Sequence, residues 1–120
     1  MSAGDAQAGD KPTTFHLTPQ EDWTRQANDP TYTPDAYAQD GFVHCTDGEA
    51  NVLAVGNLFY RGDPRPYVAL VLDPARLTAD VRYEDEDHRY PHVYGPIDRE
   101  AVVAVRRVIR AGDGGFVGIE

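Results

Sequence analysis

The sequence has one cysteine, Cys45, and few basic residues: 11 Lys and Arg against 20 Asp and Glu give a net charge of −9. A single cysteine cannot form an internal disulfide, so a reducing, cytoplasmic location is expected. No apolar run approaches the ~18 residues of a membrane span, and we expect no membrane partner. Duplex nucleic acid is not an expected partner either, because affinity for it depends on neutralising phosphates with Lys and Arg.

Length and composition predict one small globular domain. The chain has 120 residues, of which 41% are hydrophobic and 26% charged, values typical of a folded protein with a single core. Residues 1–12 lack the layout of a secretory signal and are predicted to be a flexible tail. Residues 110–120 are rich in glycine and are predicted to be a second, fraying tail. The domain is therefore predicted to span 13–109.

Two helices are predicted from capping boxes of the T-x-x-E type. Thr18 to Glu21 would start a helix over 19–28, and Thr46 to Glu49 would start a second helix directly after a strand. The second helix would present Val52, Val55 and Phe59 on one apolar face.

Five segments have the apolar or β-branched character of strands. They are Thr13–Leu17, Gly41–Cys45, Pro66–Asp73, Asp80–Glu84 and Ala101–Ile109. The run from Pro66 to Asp73 is almost continuously apolar, which predicts a central strand buried on both faces. Strands and helices do not alternate, so the predicted fold class is α+β, with a bent, mostly antiparallel or split β-sheet and two main helices packed on it.

Histidine is the residue type most suited to carry chemistry here. His16, His44 and His92 all lie in or beside predicted strands. For any one of them alone, a hydrogen-bonded structural role in the core is the competing interpretation. Three together in a small acidic domain favour a ligand cleft, because histidine serves as acid, base and polar contact. We therefore predict that the three histidines converge on one pocket.

Cys45 is not expected to be a nucleophile. Adjacent strand residues point to opposite faces, so if His44 faces a site, Cys45 faces the core and behaves as a small hydrophobe. No metal is predicted, because the sequence has no C-x-x-C or H-E-x-x-H spacing. A zinc site built through space from the three histidines stays a minor alternative.

Six motifs follow one another along the chain: "FHLT", "GFVHCT", "NLFYRG", "LVLDPARL", "VRYE" and "YPHVYGPI". On these motifs the chain resembles the bacterial domain of unknown function 952 family, over roughly Thr14 to Val108. The fold of that family is similar to the ADP-ribosyltransferase fold, which RNA 2'-phosphotransferases share. The resemblance therefore implies a bent, split β-structure around a cleft for a nicotinamide dinucleotide.

The resemblance also implies roles for individual residues. His16 on the first strand would hold a ribose or phosphate, and His44 would lie near the nicotinamide. Tyr94 would be a further ligand-binding residue. His92 and Glu84 would compete for the catalytic position, where ADP-ribosyl transfer requires a carboxylate.

Three functions stay open at this stage. The first is an enzyme that acts on NAD, ADP-ribose or a related nucleotide phosphate, with NAD as a substrate and no certain cofactor. The second is a non-catalytic domain that binds the same small nucleotide, and the third is a metal-assisted hydrolase. If the histidines bind anions as protonated donors, nucleotide affinity should be higher at pH 6 than at pH 8, and chelators should have no effect.

Overall fold

The computed structural model describes residues 13–120, so the predicted N-terminal tail over 1–12 lies outside the described residues. Within 13–120 the fold is α+β, as predicted, and no helix there is long and apolar enough to cross a membrane. The helices are α1 (Gln20–Arg25), α2 (Tyr37–Asp40) and α3 (Glu49–Phe59). The strands are β1 (Thr14–Pro19), β2 (Thr31–Tyr32), β3 (Val43–His44), β4 (Tyr67–Leu72), β5 (Val81–Tyr83), β6 (Pro91–Val93), β7 (Ile97–Asp98), β8 (Val102–Arg110) and β9 (Phe116–Ile119). Short 3₁₀ turns span Pro74–Arg76 and Arg99–Ala101.

The main sheet has four antiparallel strands in the order β1-β4-β8-β9. All six residues of β4 are buried, which confirms the central strand predicted from the apolar run. The sequence of such a strand is continuously apolar because side chains on both of its faces are buried in hydrophobic cores. The two faces of the sheet accordingly support two separate hydrophobic clusters.

The first cluster lies between the main sheet and α3. Leu17, Val71 and Phe116 pack there against Val52 of the helix. Burying each aliphatic or aromatic side chain contributes roughly 1.5–3 kcal/mol. This packing places α3 across one face of the sheet and makes it a wall of the cleft described below.

The second cluster joins the main sheet to a smaller three-stranded sheet of order β3-β6-β5. Leu70 and Leu72 of β4 pack there with Val43 of β3 and Val93 of β6. The two sheets are also linked at β1, where Phe15 and Thr46 exchange backbone hydrogen bonds of 2.8 and 2.9 Å. The resulting β-structure is curled rather than flat.

Neither capping box forms. The Thr18 hydroxyl lies 2.5 Å from the Tyr32 hydroxyl instead of capping a helix, β1 runs on to Pro19, and α1 spans only Gln20–Arg25. The extended backbone of Thr46 is held by its bridge to β1, so α3 begins later, at Glu49. In both places a long-range hydrogen bond replaces the local one that the motif predicts.

Two further expectations are corrected at the C-terminal end of α3 and of the chain. Phe59 is 68% exposed instead of lying on the buried face of the helix. Phe116 takes the space over the helix, where Gly56 leaves room for its ring. The segment predicted as a fraying tail over 110–120 therefore contains β9, anchored to α3 by hydrogen bonds of 2.7 and 3.0 Å between Asn57 and the backbone of Phe116.

Candidate functional site

The outer face of the three-stranded sheet carries an aromatic–histidine cluster of Phe42, His44, His92 and Tyr94. His44 on β3 lies directly opposite His92 on β6, and their ring centroids are 5.5 Å apart. Phe42 and Tyr94 each lie two positions from one of these histidines and therefore share their face. Phe42 stacks on His92 at 4.0 Å and meets His44 edge-on at 4.6 Å between ring centroids.

Each histidine of the cluster donates a hydrogen bond to a carboxylate. His44 Nε2 lies 2.9 Å from Asp40 Oδ2, and His92 Nδ1 lies 2.9 Å from Glu84 Oε1. A carboxylate ion only accepts, so each imidazole donates through that nitrogen. His44 Nδ1 and His92 Nε2 remain for a ligand. An imidazole oriented in this way by a carboxylate is suited to general acid–base catalysis.

The turn before β3 brings Asp40 to His44. Helix α2 ends at Asp40, and Gly41 then adopts a left-handed conformation with φ of 78°, while its N–H bonds to the Tyr37 carbonyl at 2.8 Å. Glycine takes this conformation without the steric cost that a Cβ atom imposes. The turn at Asp40 and Gly41 therefore places the Asp40 carboxylate within hydrogen-bond distance of His44.

A cleft between α3 and the strands β1, β3 and β6 divides into two chambers. The small chamber has a volume of about 190 Å³ and the large chamber about 520 Å³. Both are lined by His44, Thr46, Val55 and Tyr60. The small chamber adds His16, Asp22, Asp35, Phe42, Arg65 and Tyr67, among others. The large chamber adds Cys45, Leu58, Phe59, Asp85, Tyr90 and His92.

The three predicted histidines are thus distributed over two adjoining chambers. His16 lines the small chamber, His92 lines the large one, and His44 lies between them. Glu84 and Tyr94 line neither chamber. Glu84 instead contacts a residue that lines the cleft, through its hydrogen bond to His92.

Glu84 is also the acceptor for the Tyr94 hydroxyl. That hydroxyl, together with the smaller contribution of His92, lowers the pKa of Glu84, and the same hydrogen bond raises the pKa of Tyr94. Glu84 therefore stays ionised and keeps accepting from both partners. Arg82 lies over the Tyr94 ring at 4.8 Å and adds a cation–π contact to this group.

His16 lies beneath the backbone of β3. It is 6% exposed, and its Nδ1 lies 2.7 Å from the His44 carbonyl oxygen. Burial lowers the pKa of His16 to about 4, opposed by the hydrogen bond to the His44 carbonyl. The imidazole is accordingly neutral at pH 7 and fixes the backbone of His44, while Asp40 fixes its side chain.

Cys45 behaves as the strand alternation predicts. It also borders the large chamber, but it is only 2% exposed and packs in the second core cluster. Burial raises the pKa of its thiol, and the negative charge of Asp47 adds to the effect. A thiolate is the reactive form of cysteine, and both the burial of Cys45 and its raised pKa disfavour that form.

Acidic residues dominate the charge of the cleft. Asp22, Asp35 and Asp85 line it, and Arg65 is the one arginine or lysine among the lining residues described. Arg65 is itself held by Asp63 at 2.7 Å and by Glu21 at 3.2 Å. Among residues 13–120, no group of three or more His, Cys, Asp or Glu side chains is placed to hold a metal ion.

Sequence reasoning missed Asp40, Phe42 and Tyr60. The strand alternation that placed His44 on the outer face also places Phe42 there, so Phe42 could have been inferred. Asp40 has a weaker signal, the Asp–Gly turn before the strand. Tyr60 follows the last residue of α3, and nothing local indicates that it lines the cleft.

Comparison with known families matches residues 17–105 to the family described as "Protein of unknown function (DUF952)". The chain belongs to this family. The match runs from Leu17, within β1, to the first half of β8; it includes all four residues of the aromatic–histidine cluster, while His16 lies just before it. No curated protein matches this DUF952 chain.

Solved structures that are similar to this DUF952 chain include those of the protein CC0527 of Caulobacter crescentus. Its X-ray structure has 19% sequence identity and a TM-score of 0.75, covering 88% of this chain and 93% of that chain. Its solution NMR structure has 19% identity and a TM-score of 0.68, covering 85% and 89%. At this identity the likeness establishes a shared fold.

Proposed function

We propose that this chain is an enzyme that acts on NAD, ADP-ribose or a related nucleotide phosphate, with His44 and His92 as its acid–base residues. The observation that carries the proposal is the paired geometry of these two histidines. They lie opposite each other on neighbouring strands, each donates to its own carboxylate, and both line the large chamber. Two imidazoles with fixed orientations can supply one base and one acid to the same ligand.

The shape of the cleft supports a ligand of nucleotide size. The large chamber of about 520 Å³ lies within the usual range for small-molecule sites. Its rim includes Leu58 and Phe59, which are 73% and 68% exposed. A planar base can pack on such apolar surface while the polar part of the ligand reaches the histidines. The curled, split β-structure around this cleft also supports the ADP-ribosyltransferase-like interpretation.

A non-catalytic nucleotide-binding domain is the second candidate. The observation that favours it is the position of Glu84, which contacts His92 and Tyr94 but does not line the cleft. ADP-ribosyl transfer uses a carboxylate to stabilise positive charge at the sugar, and Glu84 is placed to orient His92 instead. This position of Glu84 therefore supports a domain that binds the nucleotide without carrying out such a transfer.

The proposal is tested by incubating the protein with NAD, ADP-ribose and a nucleoside 2'-phosphate and following products by ³¹P NMR and chromatography. We expect turnover of one of these compounds, and losses of about 10²–10⁴-fold in kcat for the His92→Ala and His44→Ala variants. Glu84→Gln should retain more of the kcat than Glu84→Ala, because its amide oxygen can still accept from His92 Nδ1 and hold the imidazole in place.

His88 provides the matched control, since it stacks on Tyr83 and lines neither chamber. His88 has φ of 53°, so His88→Asn is the suitable change because asparagine tolerates this conformation. Its activity should equal that of the unmodified protein. Tight nucleotide binding without turnover would support the second candidate, and no binding of any of the three compounds would refute both.

A further inference from the structure

His16 is fixed in one tautomer by the backbone of β3. Its Nδ1 lies 2.7 Å from the His44 carbonyl oxygen. A carbonyl oxygen can only accept, so Nδ1 carries the proton and Nε2 presents a lone pair. His16 is 6% exposed, lines the small chamber, and its buried Nε2 has no hydrogen-bond partner in the described structure. Buried polar atoms are nearly always partnered, so this acceptor requires an explanation.

Two of the three Asp or Arg residues that line the small chamber carry hydrogen-bond acceptors. Asp22, 6% exposed, presents a carboxylate that is paired through Oδ1 with Arg25 at 2.9 Å. Asp35 adds a second carboxylate, which lies 3.7 Å from Arg25. Arg65 is engaged by Asp63 and Glu21, as described above. A phosphate would bring further acceptors to a chamber that already has an excess of them, whereas an N–H group would bring the missing donor.

We propose that the small chamber binds an uncharged or cationic N–H donor group of a ligand, such as an amide or an amidine, with His16 Nε2 as the accepting atom. The inference rests on the proposed function, because that function requires a ligand in this cleft. It adds the chemistry of one group of that ligand. It also differs from the role that the family resemblance implies, in which His16 would hold a ribose or phosphate.

Three compounds of the same shape test the proposal: benzamidine, benzamide and benzoate. The first is a cation with only donors, the second is neutral with an N–H donor, and the third is an anion with only acceptors. Each is titrated into protein labelled with ¹⁵N-histidine at pH 7.5. We expect benzamidine and benzamide to bind and to shift the His16 Nε2 resonance, and benzoate to bind at least about tenfold more weakly, a difference of about 1.4 kcal/mol.

Two substitutions separate the two nitrogens of His16. His16→Asn keeps a donor near the Nδ1 position for the His44 carbonyl and removes the acceptor. His16→Gln keeps an acceptor near the Nε2 position and removes that donor. Benzamide binding should fall at least about tenfold in His16→Asn, and His16→Gln should retain more affinity. Should either variant fail to fold, the nitrogen shifts of the unmodified protein still decide the tautomer.

The proposal is overturned if Nε2 is protonated at pH 7.5, if benzoate binds as tightly as benzamide, or if none of the three compounds binds. His92→Ala distinguishes this failure from failure of the proposed function, because His92 does not line the small chamber. Benzamide binding should be unchanged in that variant even though turnover is lost. Donor-selective binding in a protein that turns over no nucleotide would leave the chamber assignment standing and refute the catalytic one.

Discussion

Adding one methyl group at Gly56 should destabilise the fold measurably. Gly56 is a buried residue of α3, and a Cβ atom there would lie 2.3, 2.5 and 2.8 Å from three carbon atoms of the Phe116 ring. Carbon atoms in contact are ordinarily about 3.5–4.0 Å apart. The ring has little freedom to move, because it packs against Tyr67 at 5.5 Å between centroids and lies 4.2 Å from the Arg110 guanidinium.

The expected size follows from two opposing effects. Alanine is favoured over glycine in a helix interior by about 1 kcal/mol. Overpacking a filled core costs about 1–3 kcal/mol, and contacts as short as these require the helix and β9 to separate, so the cost should exceed that range. We expect Gly56→Ala to lower the free energy of unfolding by at least about 2 kcal/mol, and Tm by at least about 6 °C.

Urea unfolding followed by circular dichroism measures this change. Gly62→Ala is the control, because a Cβ atom at that position meets nothing within 4 Å, and its effect should stay within about 0.5 kcal/mol. Phe116→Leu should destabilise the chain alone but less than additively with Gly56→Ala, because the smaller side chain relieves the clash. A Gly56→Ala variant as stable as the unmodified protein would refute this description of the α3–β9 contact.

Three further predictions concern titratable groups. A thiol reagent should label native Cys45 only as fast as the domain unfolds, and rapid labelling would contradict its burial. The pKa of His16 is lowered from 6.5 to about 4, so the unfolded chain binds more protons than the folded chain between pH 6.5 and pH 4. The free energy of unfolding should therefore fall over this range, by at most about 3 kcal/mol. In urea titrations, His16→Asn should reduce this dependence of stability on pH. The Arg65 hydrogen bonds lower the pKa of Asp63, so the ionised carboxylate stabilises the fold above the usual Asp pKa, and this contribution is lost as pH falls below it. The Asp63→Asn variant should be less stable than the unmodified protein at pH 7, and its stability should fall less in acid.

The parts of the fold that could be predicted are those governed by backbone periodicity. The apolar run at β4 predicts burial on both faces, and the alternation along β3 predicts that Cys45 faces the core if His44 faces a cleft. Both arguments require only that successive strand residues point in opposite directions. Composition and the order of elements were likewise enough to predict the α+β class.

The failed predictions share a physical cause. Thr18 and Thr46 each have a local capping partner in the sequence, but each is engaged by a group far along the chain, Tyr32 and Phe15 respectively. Capping contributes about 0.5–2 kcal/mol, and such a preference is overridden when strand pairing holds the same backbone extended. The prediction of a fraying tail over 110–120 was wrong for a related reason. The glycines around Phe116 are not typical of a strand, but packing against α3 stabilises β9 there.

The candidate site was only partly predictable for the same reason. Histidines could be chosen as candidates by residue type, but the partners that orient them are set by tertiary structure. Glu84 is eight residues before His92 and meets it only because β5 pairs with β6. The tautomer of His16 depends on a carbonyl 28 residues away. No local pattern in the sequence predicts the contact between Glu84 and His92 or the tautomer of His16.

The position of His44 links these observations to the proposed function. His16 holds its carbonyl, Asp40 holds its imidazole, and Phe42 packs against its ring. Errors of about 1 Å in a catalytic group can cost about 10²-fold in rate, so a residue lying between two chambers benefits from restraint on both its backbone and its side chain. A ligand that reaches from the donor-selective small chamber to His92 in the large chamber must pass His44. The polarity of the small chamber would then determine which end of the ligand is presented to the two histidines.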